Sequence, residues 1–490
     1  MTRITLAFAA GLVVPLGFAP WSWWLVSIVG LAGFWCTLRD ATPWQGAVRG
    51  YAFGLGMFGC GVSWVQVSIH QFGIPSYWFS VPMTMLFVMF LACYPALFGF
   101  LSKRITTSHA SLWWLVCCPA LWSLTELLRG WLFGGFGWLA IGYAQSEGLL
   151  SGMIPVFGVS GAGILSASLA GVIGMVLAQE TTRWLRLGAI VGACLTVGGL
   201  TLLNEFKWTQ PSGDALSVAL IQGAIPQELK WRRDLRSQSI EHYESLSEPH
   251  WRSDILVWPE TAIPAYPNEV PTVIERLEKR AQQNGTAFLV GIPTGEPGKR
   301  YFNSLIALGN VAGQYDKRHL VPFGEFFPAA SILGGLYQAL SIPMSSFSSG
   351  ASDQHSVEVA GHQAGVSICY EDVFSGELRD ALPAAAFLIN LSNDAWFGDS
   401  LAPHQHLQIA RARALETGRY LLRATNTGIT AVIGPRGEII ASSPQFEATV
   451  TTAEIYPHSG STPYVVWGDW PVVLWSAGIP LLLLARARHR

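Results

Sequence analysis

Seven apolar runs, at about 4–19, 22–38, 51–69, 78–101, 112–128, 153–178 and 187–204, occupy the first two-fifths of the chain, and an eighth, Tyr464–Leu484, nearly closes it. A helix needs roughly 20 mostly apolar residues to cross a bilayer's hydrocarbon core. The runs therefore predict eight transmembrane helices, the first two short. Only 13% of residues are charged, half are hydrophobic and 21 are Trp, against roughly a quarter charged in an average soluble protein. Arg3 followed by an apolar stretch has the look of a signal peptide, but the immediate succession of further runs favours a retained first helix. Gly50 and Gly54, and the series Gly158, Gly161, Gly163, Gly171 and Gly174, are spaced for close helix packing in lipid.

Basic residues fall on alternate sides of the runs: Arg3, then Arg39 and Arg49, Lys103 and Arg104, Arg183 and Arg186, and the terminal Ala-Arg-Ala-Arg-His-Arg. The opposite short loops hold only Arg129. The positive-inside rule then puts both termini in the cytoplasm. The polar stretch, following an odd number of spans, is expected on the outer face of the membrane, which in a bacterium is the periplasmic face or its equivalent. The expected domains are 1–207 (seven spans), 208–462 (an extracytoplasmic domain) and 463–490 (the last span and a basic tail). A net charge of −2 argues against a nucleic-acid binder.

The polar stretch alternates strand and helix patterns. Strands are predicted at Leu216–Gln222, Ile255–Trp258, Ala287–Val290, Ser304–Leu308, Gly365–Ile368, Phe387–Leu391, Gly428–Ile433 and Glu438–Ile440. Helices are predicted at Arg236–Leu246, Val270–Asn284 and His406–Tyr420. This pattern calls for a layered α/β domain, and no phosphate-binding glycine motif accompanies it. Between Phe326 and Phe347 the chain is uncharged and broken by Gly and Pro. We expect a loop or short helix dipping into the membrane interface beside the site, the alternative being an ordinary buried helix pair.

Of seven cysteines, only Cys369 lies in the polar stretch, so it lacks a disulfide partner there. Glu260, Lys317 and Cys369 each stand at or just past an apolar strand, where open α/β sheets place reactive groups. Lys317 is one of six lysines in the chain. A free thiol is mostly protonated at neutral pH, so a carboxylate must take its proton, and an ammonium can steady both thiolate and oxyanion. Together the three suit acyl transfer without histidine. His404 and His406, at i and i+2, do not share a helix face, and neither metal nor cofactor is expected.

The insert, roughly 210–457, resembles the carbon–nitrogen hydrolase (nitrilase) superfamily, and the whole chain resembles the bacterial apolipoprotein N-acyltransferases. The matching motifs are Ile221-Gln222-Gly223-Ala224-Ile225-Pro226-Gln227, Trp258-Pro259-Glu260-Thr261, the stretch 317–325, Ile368-Cys369-Tyr370-Glu371 and Asn393-Asp394-Ala395-Trp396-Phe397-Gly398. The resemblance implies an α-β-β-α sandwich, with Glu260 as general base, Lys317 as oxyanion stabiliser and Cys369 as nucleophile. It implies Glu325 and Glu371 as supporting carboxylates, and Trp231 and Tyr370 as substrate-contacting residues. It also implies a phospholipid acyl donor, a diacylglyceryl-cysteine lipoprotein acceptor and a ping-pong cycle. Tyr420 and Thr427 depart from the Pro and Asn the family pattern leads us to expect. Nothing in the sequence asks for more than a monomer. The rival activities are a membrane-anchored amidase with the same three residues and, from another class, a transporter, which the scarcity of intramembrane charge opposes.

Overall fold

The computed structural model describes residues 2–105, 107, 109–296, 300–311, 313–326, 347–354 and 356–488. The chain forms two compact units. One comprises the residues up to His70, Pro75–Lys207 and those from Thr462 on; the other comprises Gln71–Ile74 and Trp208–Ser461.

In the first unit each predicted apolar run is helical. Four helical stretches are long and apolar enough to cross a membrane: Tyr77–Arg104, Ala110–Gly134, Ser151–Ala178 and Arg183–Leu203. A fifth candidate is Pro43–Gly61 with Val65–Phe72, bent by 57° at the break. The segments Thr2–Gly17, Trp24–Thr37 and Trp470–Ala485 are apolar but shorter. Gly50 and Gly54 permit a close crossing, as their spacing predicts. A Cβ on Gly50 would come within 2.1 Å of the Pro95 carbonyl oxygen, and one on Gly54 within 2.7 Å of the Ala92 Cα.

Arg129 differs from expectation. It lies within the helix Cys118–Trp131, only 3% exposed, rather than in an aqueous loop. Its guanidinium donates to the carbonyls of Phe136 and Trp138 and lies 3.9 Å from Glu126. The irregular chain after this helix leaves carbonyls that need donors, and Arg129 supplies them.

The second unit holds two six-stranded sheets. One runs Thr449–Ile455, Leu216–Gln222, Ile255–Trp258, Ala287–Gly295, Tyr301–Leu308, Gly313–Asp316. The other runs Ile439–Ser442, Ala431–Ile433, Leu421–Thr425, Phe387–Ser392, His362–Ile368, Val357–Val359. Their central pairs are parallel, which explains why those strands read as unbroken apolar runs. Val218, Leu220, Val257 and Leu289 of one sheet pack with Val366, Ile368, Ile389 and Leu422 of the other. Helices Arg236–Ser247 and Pro271–Asn284 cover the outer face of the first sheet through Ile240, Tyr243, Leu277 and Ala281. Helix Ala402–Thr417 covers the second through Leu407, Ala410 and Ala414. The layers are helix, sheet, sheet, helix.

The helix predicted at His406–Tyr420 begins earlier, with Pro403 in its first turn, and stops at Gly418 in the left-handed region. Strand Leu421–Thr425 was not anticipated, because Arg423 interrupts its apolar pattern. The interfacial segment expected between Phe326 and Phe347 lies almost wholly outside the described residues.

Candidate active site

Glu260 follows strand Ile255–Trp258 on a tight turn, with Thr261 at φ +50°. Its neighbour across the sheet is Gly291, where a Cβ would fall 2.7 Å from the Glu260 Cα and 2.4 Å from the Pro259 oxygen. Only a residue without a side chain lets the turn come so close. Lys317 follows strand Gly313–Asp316, and its backbone is held at both ends: its N–H donates to the Asn303 carbonyl (2.8 Å), and its carbonyl accepts from Gly350 (2.9 Å). Cys369 ends strand His362–Ile368 at φ +54°. That conformation is strained for a residue with a side chain.

The three meet in a buried cluster. Lys317 Nζ lies 2.9 Å from Glu325 and 3.6 Å from Glu260 Oε1. Asn303 Nδ2 donates to Glu260 Oε1 (2.6 Å) and to Glu325 Oε1 (3.0 Å), while Glu325 Oε2 accepts from the Val321 N–H (2.8 Å). Glu260 Oε2, also buried, receives no hydrogen bond from the described residues. Burial alone would lower the Lys317 ammonium, but Glu325, Glu260 and Cys369 outweigh it and hold it well above the usual lysine range. Burial first, then the Glu260 charge, pushes the Cys369 thiol up against the pull of Lys317, so at rest the thiol is protonated. The cluster thus holds a fixed cation, a neutral thiol and a carboxylate oxygen free to accept a proton.

Glu371 supports the geometry from behind. It accepts from the backbone N–H groups of Arg318 (2.6 Å), His319 (3.0 Å) and Ile368 (2.7 Å), and from the Tyr315 hydroxyl (3.2 Å). One side chain thereby ties the segment after Lys317 to the strand that carries Cys369. Burial pushes it up to about 7, opposed by Lys317 and these donors. Tyr370 is buried, its ring against Phe374 and His319. Trp231, by contrast, is half exposed at the end of the short helix Gln227–Lys230.

Three features escaped the sequence. Lys230 is buried, donates to the Glu260 carbonyl (2.9 Å), and is lowered to about 8 by burial against the charges of Glu260 and Cys369. Its position beside Trp231, directly after the matching motif, was the available signal. Asn303 carried none. His406 drew notice only as half of a histidine pair; it lies fully buried between Asp394 and the Cys369 carbonyl. Among the described residues no group of three His, Cys, Asp or Glu side chains is arranged to hold a metal ion.

Known families match both units of the chain. Residues 217–463 match the carbon-nitrogen hydrolase family, and residues 10–172 match the apolipoprotein N-acyltransferase N-terminal domain. Among solved structures, a carbon-nitrogen hydrolase from Helicobacter pylori aligns with 53% of this chain and 94% of its own at 17% identity, with a TM-score of 0.37. The apolipoprotein N-acyltransferase of Methylococcus capsulatus is 44% identical over 100% of this chain and 97% of its own length. That of Vibrio cholerae is 39% identical over 100% and 98%. Likeness at this level across both units, helical and hydrolase-like alike, makes the chain a member of the apolipoprotein N-acyltransferase family.

Proposed function

We propose that the protein transfers a fatty acyl chain from a membrane phospholipid to the α-amino group of the N-terminal diacylglyceryl-cysteine of a lipoprotein, through a thioester on Cys369. The observation that carries the mechanism is the buried Glu260 carboxylate, with Oε1 pinned by Asn303 and Oε2 unoccupied by any described donor, beside a permanently charged Lys317. In the first half, Glu260 takes the thiol proton as sulfur attacks the phospholipid ester carbonyl. Lys317 steadies the oxyanion. The C–O bond then breaks, the lysophospholipid leaves with the proton from Glu260, and the acyl group stays on sulfur. In the second half, the lipoprotein amine attacks the thioester and gives its proton to Glu260. The C–S bond breaks and the thiol is restored. Splitting the transfer lets two lipid-anchored substrates use one site in turn.

Glu325 holds Lys317, and Glu371 holds the loop that follows it. Tyr370 and Trp231 meet substrate, Trp231 from its exposed position at the rim. The eight helical segments serve as eight spans, with the catalytic unit on the periplasmic face and both termini cytoplasmic, and the protein works as a monomer. No step needs a metal or cofactor.

Incubation with phospholipid alone, followed by intact-protein mass spectrometry, tests this. A fatty-acyl adduct on Cys369 that hydroxylamine removes is expected, with release of lysophospholipid. Absence of both sinks the transferase. An adduct that water discharges as fast as an amine-bearing lipopeptide does turns the assignment to an amidase-like hydrolase.

A further inference from the structure

Beneath Cys369 lies a buried polar network to which the acyl-transfer steps assign no role. His406, on helix Ala402–Thr417, is fully buried. Its Nε2 lies 3.2 Å from the Cys369 carbonyl oxygen, and its Nδ1 lies 2.9 Å from Asp394 Oδ1. The Ser392 hydroxyl donates to the same Asp394 oxygen (2.9 Å), and Arg423 Nη2 donates to the other (2.8 Å). Arg423 Nη1 also reaches Asp372 Oδ2 (3.3 Å), whose Oδ1 accepts from Ser367 (2.7 Å). Asp372, Asp394, His406 and Arg423 are all shielded from solvent.

A carbonyl oxygen can only accept, so in the contact between the two it is the His406 Nε2–H that donates to Cys369. On the other side of the ring, Asp394 is fixed in turn by Arg423 and Ser392, so the imidazole is held between two partners that are themselves held.

The hydrogen bond to the Cys369 carbonyl also has a geometric consequence. Cys369 is held at φ +54°, a conformation that something must maintain. In a trans peptide the C=O and the following N–H point in opposite directions. Fixing the Cys369 carbonyl toward His406 therefore turns the Tyr370 N–H away from it.

We propose that His406 is a positioning residue: held by Asp394 at one ring nitrogen, it clamps the Cys369 carbonyl with the other and so maintains the nucleophile's strained backbone. The proposal rests on Cys369 being the nucleophile, as above. Glu260, Lys317 and Asp394 act on the thiol by charge and Ser392 by a side-chain hydrogen bond; His406 acts through the backbone. A misplacement of about 1 Å at a reacting atom costs on the order of 100-fold in rate.

The test uses H406Q and H406L in full-length protein, purified and checked for folding by thermal unfolding. Three quantities are read: acyl-adduct formation with phospholipid, the donor KM, and the rate of Cys369 alkylation by iodoacetamide. For H406L, adduct formation should fall roughly 100-fold at unchanged donor KM. H406Q, which keeps an N–H donor for the carbonyl, should fall less. Alkylation, which needs the thiol within reach of Glu260, should slow in H406L and less so in H406Q. Loosened packing alone would speed it. A folded H406L with wild-type adduct formation and unslowed alkylation overturns the proposal, as does a rate loss confined to KM. If H406L does not fold, H406Q decides by the same criteria. If wild-type protein forms no adduct, the acyl-transfer assignment fails, while the alkylation rates still test His406.

Discussion

Lys317 Nζ sits 3.6 Å from Glu260 Oε1 but 2.9 Å from Glu325, so the ammonium is anchored by one carboxylate and merely neighbours the other. In the proposed mechanism, that asymmetry leaves Glu260 to exchange protons while Lys317 keeps its charge.

Replacing Glu260 by Gln should therefore have two opposite effects. Acyl-adduct formation should fall by about 10²–10⁴-fold, the usual contribution of a general base. The Glu260 charge is one cause of the raised thiol, so alkylation of Cys369 in E260Q should shift to lower pH than in wild type. Mass spectrometry of both adducts measures the pair. A variant slower in acylation and unmoved or shifted upward in alkylation would contradict the electrostatics.

Gly291→Ala pushes on the Glu260 turn from behind, since its Cβ would meet Thr261 N at 2.6 Å. Displacing the base by a fraction of an ångström should lower kcat on the order of 100-fold, with circular dichroism and donor KM little changed. An active G291A would mean that the turn has room the structure does not show.

Glu371→Gln places an amide N–H against backbone donors in either orientation, because Ile368 N–H faces one oxygen and Arg318 and His319 N–H face the other. A buried polar mismatch of this kind costs about 1–3 kcal/mol, so the unfolding temperature should drop. Its pH dependence carries a sign. Glu371 is pushed from 4.5 up to about 7, so the folded protein binds this proton more tightly than the unfolded chain does. The associated stability is fully present below the unfolded value and is lost as pH rises through about 7. The wild-type advantage over E371Q should narrow between about pH 5 and about pH 8. A constant or widening gap in thermal unfolding would refute that.

Arg423→Met removes the guanidinium that bridges Asp372 and Asp394. Two buried carboxylates would lose their shared partner, and breaking a buried pair in this way costs roughly 3–5 kcal/mol. The variant should unfold at markedly lower temperature; an unfolding temperature within experimental error of wild type would show that the network is not stabilising.

Much of the site was visible in the residues. Cys369 stands directly after, and Glu260 one residue beyond, buried strands whose continuous apolar character marks them as central and parallel, and Lys317 directly follows a strand too. Less visible were the groups that act through long-range pairing. Arg423 sits in the middle of strand Leu421–Thr425, and its charge hid the strand from any hydrophobic pattern; the carboxylates of Asp372 and Asp394 and the side-chain oxygen of Asn390, all far away in sequence, make an arginine acceptable there. Asn303 lies within an ordinary edge-ward strand, and nothing local distinguishes it from a surface amide.

By itself, then, the chain determined its division into apolar helices and a layered α/β unit, because burial in lipid or between sheets writes itself into runs of neighbouring residues. It also determined which reactive side chains stand at strand ends. Tertiary structure alone decided which carboxylate anchors Lys317, which oxygen of Glu260 is left without a hydrogen bond from the described residues, and that His406 lies under Cys369. Those relations join residues up to 43 positions apart, from Glu260 to Asn303, through single hydrogen bonds whose direction no local pattern records.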